Sequence, residues 1–149
     1  MVGVEVRRAD GADVDWIVDQ LKDFSDFHDS KYALFGDIEH AAKIVGDVIE
    51  NHVVFVAHGD GKLMGFISGY LIDHPYNPKI KTLNEQFWWV PEEYRGTGAG
   101  ALLLKSFNDY GKKVAHWIIM ALESNSPVKE DSLVKRGYRL HERSYLMEV

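Results

Sequence analysis

The sequence predicts a single α+β domain built round a mixed β-sheet flanked by helices, in the order β-α-α-β-β-β-α-β-α-β. Three observations predict it. Short β-like runs and runs with helical spacing follow one another along 149 residues without a repeat, a low-complexity tract or a Pro/Gly/Ser linker. Asp60-Gly61 joins two apolar runs, a strong hairpin signal that puts antiparallel strands beside the helices. The helices are unevenly spaced among the strands, which argues against a doubly wound sheet.

Residues 2–8 form the first strand. Val14, Ile17, Val18, Leu21 and Phe24 recur at helical spacing, so a helix is expected over about 13–27. A loop follows at residues 28–37, with Tyr32, Phe35 and Gly36. The second helix carries Ile38, Ala41, Ala42, Val45, Val48 and Ile49 on one face. Residues 53–58 and 62–72 are the hairpin strands. Pro75 and Pro78 mark residues 73–81 as an irregular loop, and 82–90 is a β-rich run stopped by Pro91. A helix is expected over about 98–113 with Leu102, Leu103, Phe107 and Tyr110 inward, then a strand over 116–122. Ser126-Pro127 is a sound helix start, Gly137 stops that helix, and residues 138–149 form a last strand or hairpin arm.

Composition narrows the chemistry. With 0 cysteines there is no disulfide, no Cys metal site and no thiol nucleophile. The 7 histidines form no His-x-x-x-His spacing, so no metal site is expected. A net charge of −6 without a long basic run argues against sequence-independent nucleic-acid binding and mildly favours cationic substrates. No apolar run approaches the roughly 18 residues that span a bilayer. The N-terminus lacks the charged start and apolar middle of a signal peptide, so a cytoplasmic location is expected.

The informative stretch is Phe87-Trp88-Trp89-Val90-Pro91-Glu92-Glu93-Tyr94-Arg95-Gly96-Thr97-Gly98-Ala99-Gly100. A strand ends, a glycine-dense loop follows and a helix begins. Amides at a helix start lack intrahelical partners and carry partial positive charge, so they attract phosphate. Arg95 adds a charge-assisted donor. The dinucleotide fingerprint would need its third glycine where Leu102 stands, and the nucleotide-triphosphate loop would need Gly-Lys-Ser/Thr. Neither fits.

Arg95, Gly98 and Gly100 do occupy the defining positions of Arg/Gln-x-x-Gly-x-Gly/Ala. This loop, and the element order from first strand to C-terminus, resemble the GCN5-related N-acetyltransferase (GNAT) family. The resemblance implies an acyl-CoA N-acyltransferase fold and acetyl-CoA as co-substrate. It also implies a primary amine on a small molecule or peptide as acceptor, and direct transfer in a ternary complex. It implies amides of Gly96, Thr97, Gly98, Ala99 and Gly100, with Arg95, on the pyrophosphate. The pantetheine arm would lie where the strand before the loop splays from the later strand, with amides near Trp89 and Val90 on the acyl carbonyl. The extra residue in Pro91-Glu92-Glu93-Tyr94 should be absorbed in the loop.

An aliphatic amine of pKa near about 10.4 is mostly protonated at neutral pH, and freeing its lone pair costs on the order of 4–5 kcal/mol without a base. Glu85 is the candidate base. Alternation puts it on the face of Leu83, Phe87 and Trp89 if no bulge intervenes; a paired or surface Glu is the plainer alternative. The family's acid tyrosine, four residues before the glycine ending the last helix, is Leu133 here. Ser132 or Tyr138 could serve instead, or the thiolate could leave unaided, so a catalytically silent CoA-binding domain stays open, as does a different acyl group. Ser126 stands where the family often contacts CoA through Asn, with Asn125 adjacent; a helix cap is its plainer role. By analogy with the fold, Phe27, Tyr32, Phe35, His74 and Tyr76 flank the acceptor. A homodimer through the arm at 144–149 is a further expectation.

Overall fold

A computed structural model describes residues 3–25 and 32–149. Phe27 lies outside the described residues. Strand β1 (Glu5–Arg8) leads through a 3-10 turn at Gly11–Asp13 into α1 (Val14–Ser25). Then come α2 (Ile38–Asn51), β2 (Val53–Gly59), β3 (Lys62–His74) and β4 (Asn77–Trp89). A 3-10 turn at Glu92–Tyr94 precedes α3 (Ala99–Val114), β5 (Trp117–Ile119) and α4 (Glu130–Val134).

The sheet runs β1-β2-β3-β4-β5, antiparallel except for the parallel pair β4/β5. Asp60 and Gly61 both take left-handed φ, 51° and 73°, as the β2/β3 hairpin requires. One face of the sheet packs on α3 through Val53, Ile67, Leu83, Leu103, Leu104 and Phe107. The other face packs on α1 and α2 through Ile17, Leu21, Val45, Val48, Phe66 and Trp89. Helix α1 buries the stripe that its apolar spacing dictates, through Ile17, Val18 and Leu21.

The structure corrects five expectations. Residues 73–81 are not a loop: β3 and β4 run on to a two-residue turn at Pro75-Tyr76, and Pro78 is accommodated beside the register shift after Asp73. In α3 the inward stripe is Leu103, Leu104, Phe107, Asn108 and Gly111, so Leu102 turns outward at 39% exposure. Strand β5 is three residues, not seven. Ser126-Pro127 starts no helix, because the Ser126 hydroxyl accepts from the Val128 N–H (3.1 Å) in a local turn and α4 begins at Glu130. Residues 138–149 join no ladder; Tyr145, Leu146, Met147 and Val149 stand exposed, and the edge strand β5, three residues long, pairs with β4 alone. Gly137 does end α4's segment, at φ 95°.

Candidate active site

The site begins with a fault in β4. Ser68 pairs with Phe87 but Gly69 pairs with Glu85, so Gln86 is an extra residue in the strand. Such a bulge reverses the alternation beyond it. Leu83, Trp88 and Val90 pack on the α3 face, whereas Phe87 and Trp89 pack under α1 and α2. The single face expected for Leu83, Glu85, Phe87 and Trp89 is therefore divided, with Glu85 before the bulge. Gly69 fits the crowding there, since a Cβ would lie 2.7 Å from the Phe107 ring.

The bulge coincides with a split in the sheet. The last β4/β5 pair is Asn84↔Ile119, after which β4 continues beside β3 alone. A cleft of about 430 Å³ opens between the two. One wall carries Glu85, Trp88 and Val90, and the other Ala121, Leu122, Glu123, Asn125 and Ser126. Arg95, Gly96, Gly98 and Gly100 close one end. Glu85 reaches across the gap, its Oε2 accepting from the Ala121 N–H at 3.2 Å. Burial raises the Glu85 carboxyl to about 7; the Ala121 bond opposes this and the Glu123 charge adds to it.

The loop is shaped by its glycines. Gly96 and Gly98 have φ of 84° and 92°, the left-handed region that disfavours a Cβ, and open space lies where each Cβ would be. Gly98 is the N-cap of the 16-residue α3. The Thr97 hydroxyl donates to the Tyr94 carbonyl (2.6 Å) and accepts from the Ala99 N–H (3.3 Å), pinning the loop to the helix start. Arg95 Nε donates to the Val90 carbonyl at 3.0 Å, with its guanidinium carbon 5.1 Å from the Trp89 ring centre. Trp88 Nε1 donates to the Gly100 carbonyl at 3.2 Å. Open cradle, helix start and cleft together fit an anionic diphosphate followed by a narrow arm.

Of the residues expected on the cofactor, Trp89, Val90, Arg95, Gly96, Gly98, Gly100, Asn125 and Ser126 line the cleft, while the exposed Thr97 and the buried Ala99 do not. The Trp89 ring itself is in the α1/α2 core, where Nε1 donates to Gln20 (3.0 Å). Tyr138 packs on the α3 face, and its hydroxyl donates to Asn108 Oδ1. Burial raises its phenol to about 12, and the Glu85 charge pushes the same way. Leu133 fills the core instead, and Ser132 Oγ is engaged by Arg136 (2.8 Å).

Phe35 lines a second cavity, under α2, which Tyr32 does not line; the Tyr32 hydroxyl donates to the Val149 carbonyl. His74 and Tyr76 lie at the far tip of the β3/β4 hairpin and line neither cavity, with Tyr76 93% exposed. Among the described residues, no three His, Asp or Glu side chains gather as a metal-ligating group, and no helix is long and apolar enough to cross a membrane. Sequence reasoning missed Ala121 and Glu123 opposite Glu85, the bulge at Gln86, and Asn108. Only Asn108 left a trace: it is the polar residue on an otherwise apolar helix stripe.

A mixed five-stranded sheet split between its two parallel strands, with a glycine-shaped helix start at the mouth of the split, defines the class of fold. The chain belongs to the acetyltransferase (GNAT) family, whose sequence model matches residues 14–129. Solved structures agree on the fold. A possible acetyltransferase from Clostridium difficile 630 superposes with a TM-score of 0.74 at 18% identity, over 98% of this chain and 97% of that one. The ribosomal-protein-alanine N-acetyltransferase of Brucella melitensis biovar Abortus 2308 gives 0.74 at 16% identity, over 99% of each. A predicted acetyltransferase with acetyl-CoA from Clostridium acetobutylicum gives 0.75 at 14% identity, over 98% of this chain and 96% of that one. No curated protein sequence matches the chain.

Proposed function

We propose that the protein is an acetyl-CoA-dependent N-acetyltransferase that acetylates a primary amine by direct transfer in a ternary complex. The observation that carries this is Glu85, raised to about 7 where the sheet splits, in the cleft that the Arg95–Gly100 loop closes. Acetyl-CoA supplies the activated acetyl thioester. Backbone amides from Gly96 to Gly100, with Arg95, hold its diphosphate, and Asn125 and Ser126 border the arm on the opposite wall. Amides near Trp89 and Val90 polarise the acyl carbonyl. Glu85 Oε takes a proton from the incoming ammonium, directly or through water, to expose the nitrogen lone pair. A carboxyl near 7 is well matched to that duty, being half ionised at neutral pH yet basic enough to hold the proton.

Tyr138 is the candidate donor of a proton to the departing thiolate, and its high pKa keeps the phenol protonated. The amine enters from the α1/α2 side, where Phe35 stands, with Tyr32 on the segment before α2; Phe27 stays an acceptor candidate on the fold analogy alone. His74 and Tyr76 remain acceptor candidates only through the hairpin tip. A cytoplasmic enzyme and a homodimer through residues 144–149 belong to the same reading.

A catalytically silent CoA-binding domain is the second reading, favoured by two observations: Leu133 stands where the family's acid tyrosine belongs, and the Tyr138 hydroxyl is tied to Asn108. Calorimetric titration with acetyl-CoA, paired with a thiol-release assay over an amine panel, separates the two. Binding with amine-dependent thiol release supports the enzyme. Binding without release for any amine supports the silent domain, and absence of binding removes both.

A further inference from the structure

The cleft has a neighbour. A cavity of about 290 Å³ lies between α1, α2 and the sheet, near the low end of ordinary ligand sites, roughly 300–1,000 Å³. Its walls include Leu21, Phe35, Ile44, Val45 and Phe87, and its floor carries the buried hydroxyl residue Ser68. Gln86, the bulged residue of β4, lines this cavity and the cleft alike, so the two meet at the residue next to Glu85. Among the described residues, neither Lys nor Arg lines the cavity, and Asp37 is its one carboxylate. Asp37 is held in place as the cap of α2, its Oδ1 accepting from the His40 N–H at 3.0 Å.

We propose that this cavity holds the non-reacting arm of the acceptor, and that the acceptor is a primary monoamine bearing an aromatic or branched aliphatic group on a short linker. The proposal rests on the acetyl-transfer reading in placing the amine at Glu85. Apolar walls reward removal of a ring or branched chain from water, and the reward scales with the area covered. The same walls penalise a sugar-like acceptor, whose many hydroxyls would be buried against a mostly apolar lining in which only Asp37, His40, Ser68, Tyr70 and Gln86 carry polar side-chain groups. A polyamine fares no better, because one carboxylate cannot compensate several desolvated ammonium groups. With neither Lys nor Arg among the described lining residues, and with His40 its one basic side chain beside the Asp37 carboxylate, an anionic arm is disfavoured too. A short linker follows from the junction: Gln86 is shared, so amine and arm are separated by about the thickness of one strand.

Phenethylamine is the probe, with ethanolamine as an apolar-arm-free control. In ¹H–¹⁵N NMR spectra of the full chain, phenethylamine should shift the amides of Phe35, Ala41, Val45 and Ser68, and ethanolamine at equal concentration should not. Ala41→Phe should fill the cavity and raise the phenethylamine Kd at least tenfold, with the acetyl-CoA Kd changed less than twofold. Ile44→Ala, which thins the outer wall, checks the site without overfilling it and should shift affinity toward bulkier arms. In turnover, kcat/KM for phenethylamine should exceed that for ethanolamine at least tenfold. No shift at those amides, or equal response to both amines, overturns the proposal whether or not acetyl-CoA binds. Failure of acetyl-CoA to bind while phenethylamine shifts those amides would overturn the transfer reading and leave the cavity assignment standing.

Discussion

Glu85 and Ala121 face each other across the split in the sheet, the carboxylate of one accepting the amide N–H of the other at 3.2 Å. Glu85 stands one position and Ala121 two positions beyond the last β4/β5 pair, where the ladder has just ended. A side chain has taken over from the backbone in bridging the strands. The carboxyl is thereby held, half-buried, at the point where a pantetheine arm is expected to pass.

Glu85→Gln should lower kcat/KM by about 10²-fold or more if the carboxylate is the base. The wild-type rate should rise with pH to a midpoint near 7, because the deprotonated form is the active one. The variant's acid limb should be flat. A pH–rate profile with an unchanged acid limb would remove Glu85 from the reaction.

The same residue gives a stability signature of definite sign. A carboxyl raised from 4.5 to about 7 holds its proton more tightly in the fold than in the unfolded chain. Its stabilising contribution is complete below about 4.5 and is lost as pH rises through about 7. Relative to Glu85→Gln, the wild type should lose about 2 kcal/mol between pH 5 and pH 8, partial exposure and solvent screening moderating the full value. Urea unfolding at both pH values measures it.

Asp13 should behave in the opposite way. It is 3% exposed, receives two hydrogen bonds from Arg7 (2.8 and 2.9 Å) and one from the Asp10 N–H. The Arg7 bonds hold its carboxyl below the ordinary 3.8, so its contribution is present above that value and lost as acid protonates it. Asp13→Asn should cost about 2 kcal/mol at neutral pH and progressively less below pH 4, read from thermal melts.

Two glycines of the loop separate folding from binding. At Gly98 the φ of 92° makes alanine strained, so Gly98→Ala should cost about 1 kcal/mol as well as weaken acetyl-CoA. At Gly100 a Cβ meets nothing nearer than Val90 Cγ2 at 3.7 Å, an ordinary contact. Gly100→Ala should therefore keep the melting temperature and raise the acetyl-CoA Kd about tenfold, by calorimetry. An unchanged Kd would place the diphosphate elsewhere.

Tyr138→Phe tests the proton donor. Loss of the bond to Asn108 should cost about 1 kcal/mol in any case. A donor role adds a fall in kcat at unchanged acetyl-CoA affinity, relieved when the thiol is replaced by a better leaving group. Asn108→Ala, which removes only the partner, should reproduce the stability loss without that relief.

Much of this molecule is legible from local sequence. Asp60-Gly61 forms its hairpin because only left-handed φ values join strands so tightly, and Arg95-Gly96-Thr97-Gly98 opens α3 for a related reason. The helices α1 and α2 bury the stripes their spacing marks. These features are set by neighbours within four residues. Where two helical phases were both apolar, as at Leu102 and Leu104, spacing alone chose wrongly, and the packing of Phe107 against the sheet decided.

What the sequence determined by itself was the loop: its glycines fix a backbone shape, and that shape persists whatever surrounds it. Tertiary structure decided the position of Glu85, the extent of the β3/β4 hairpin and the partner of Tyr138. A bulge is defined by a register between strands, and a raised pKa by atoms brought from Ala121 and Glu123, more than 30 residues away in the chain. Such relations arise only when distant segments meet. The residue type at position 85 was there to be read, but the cleft that raises its pKa exists only in the folded sheet.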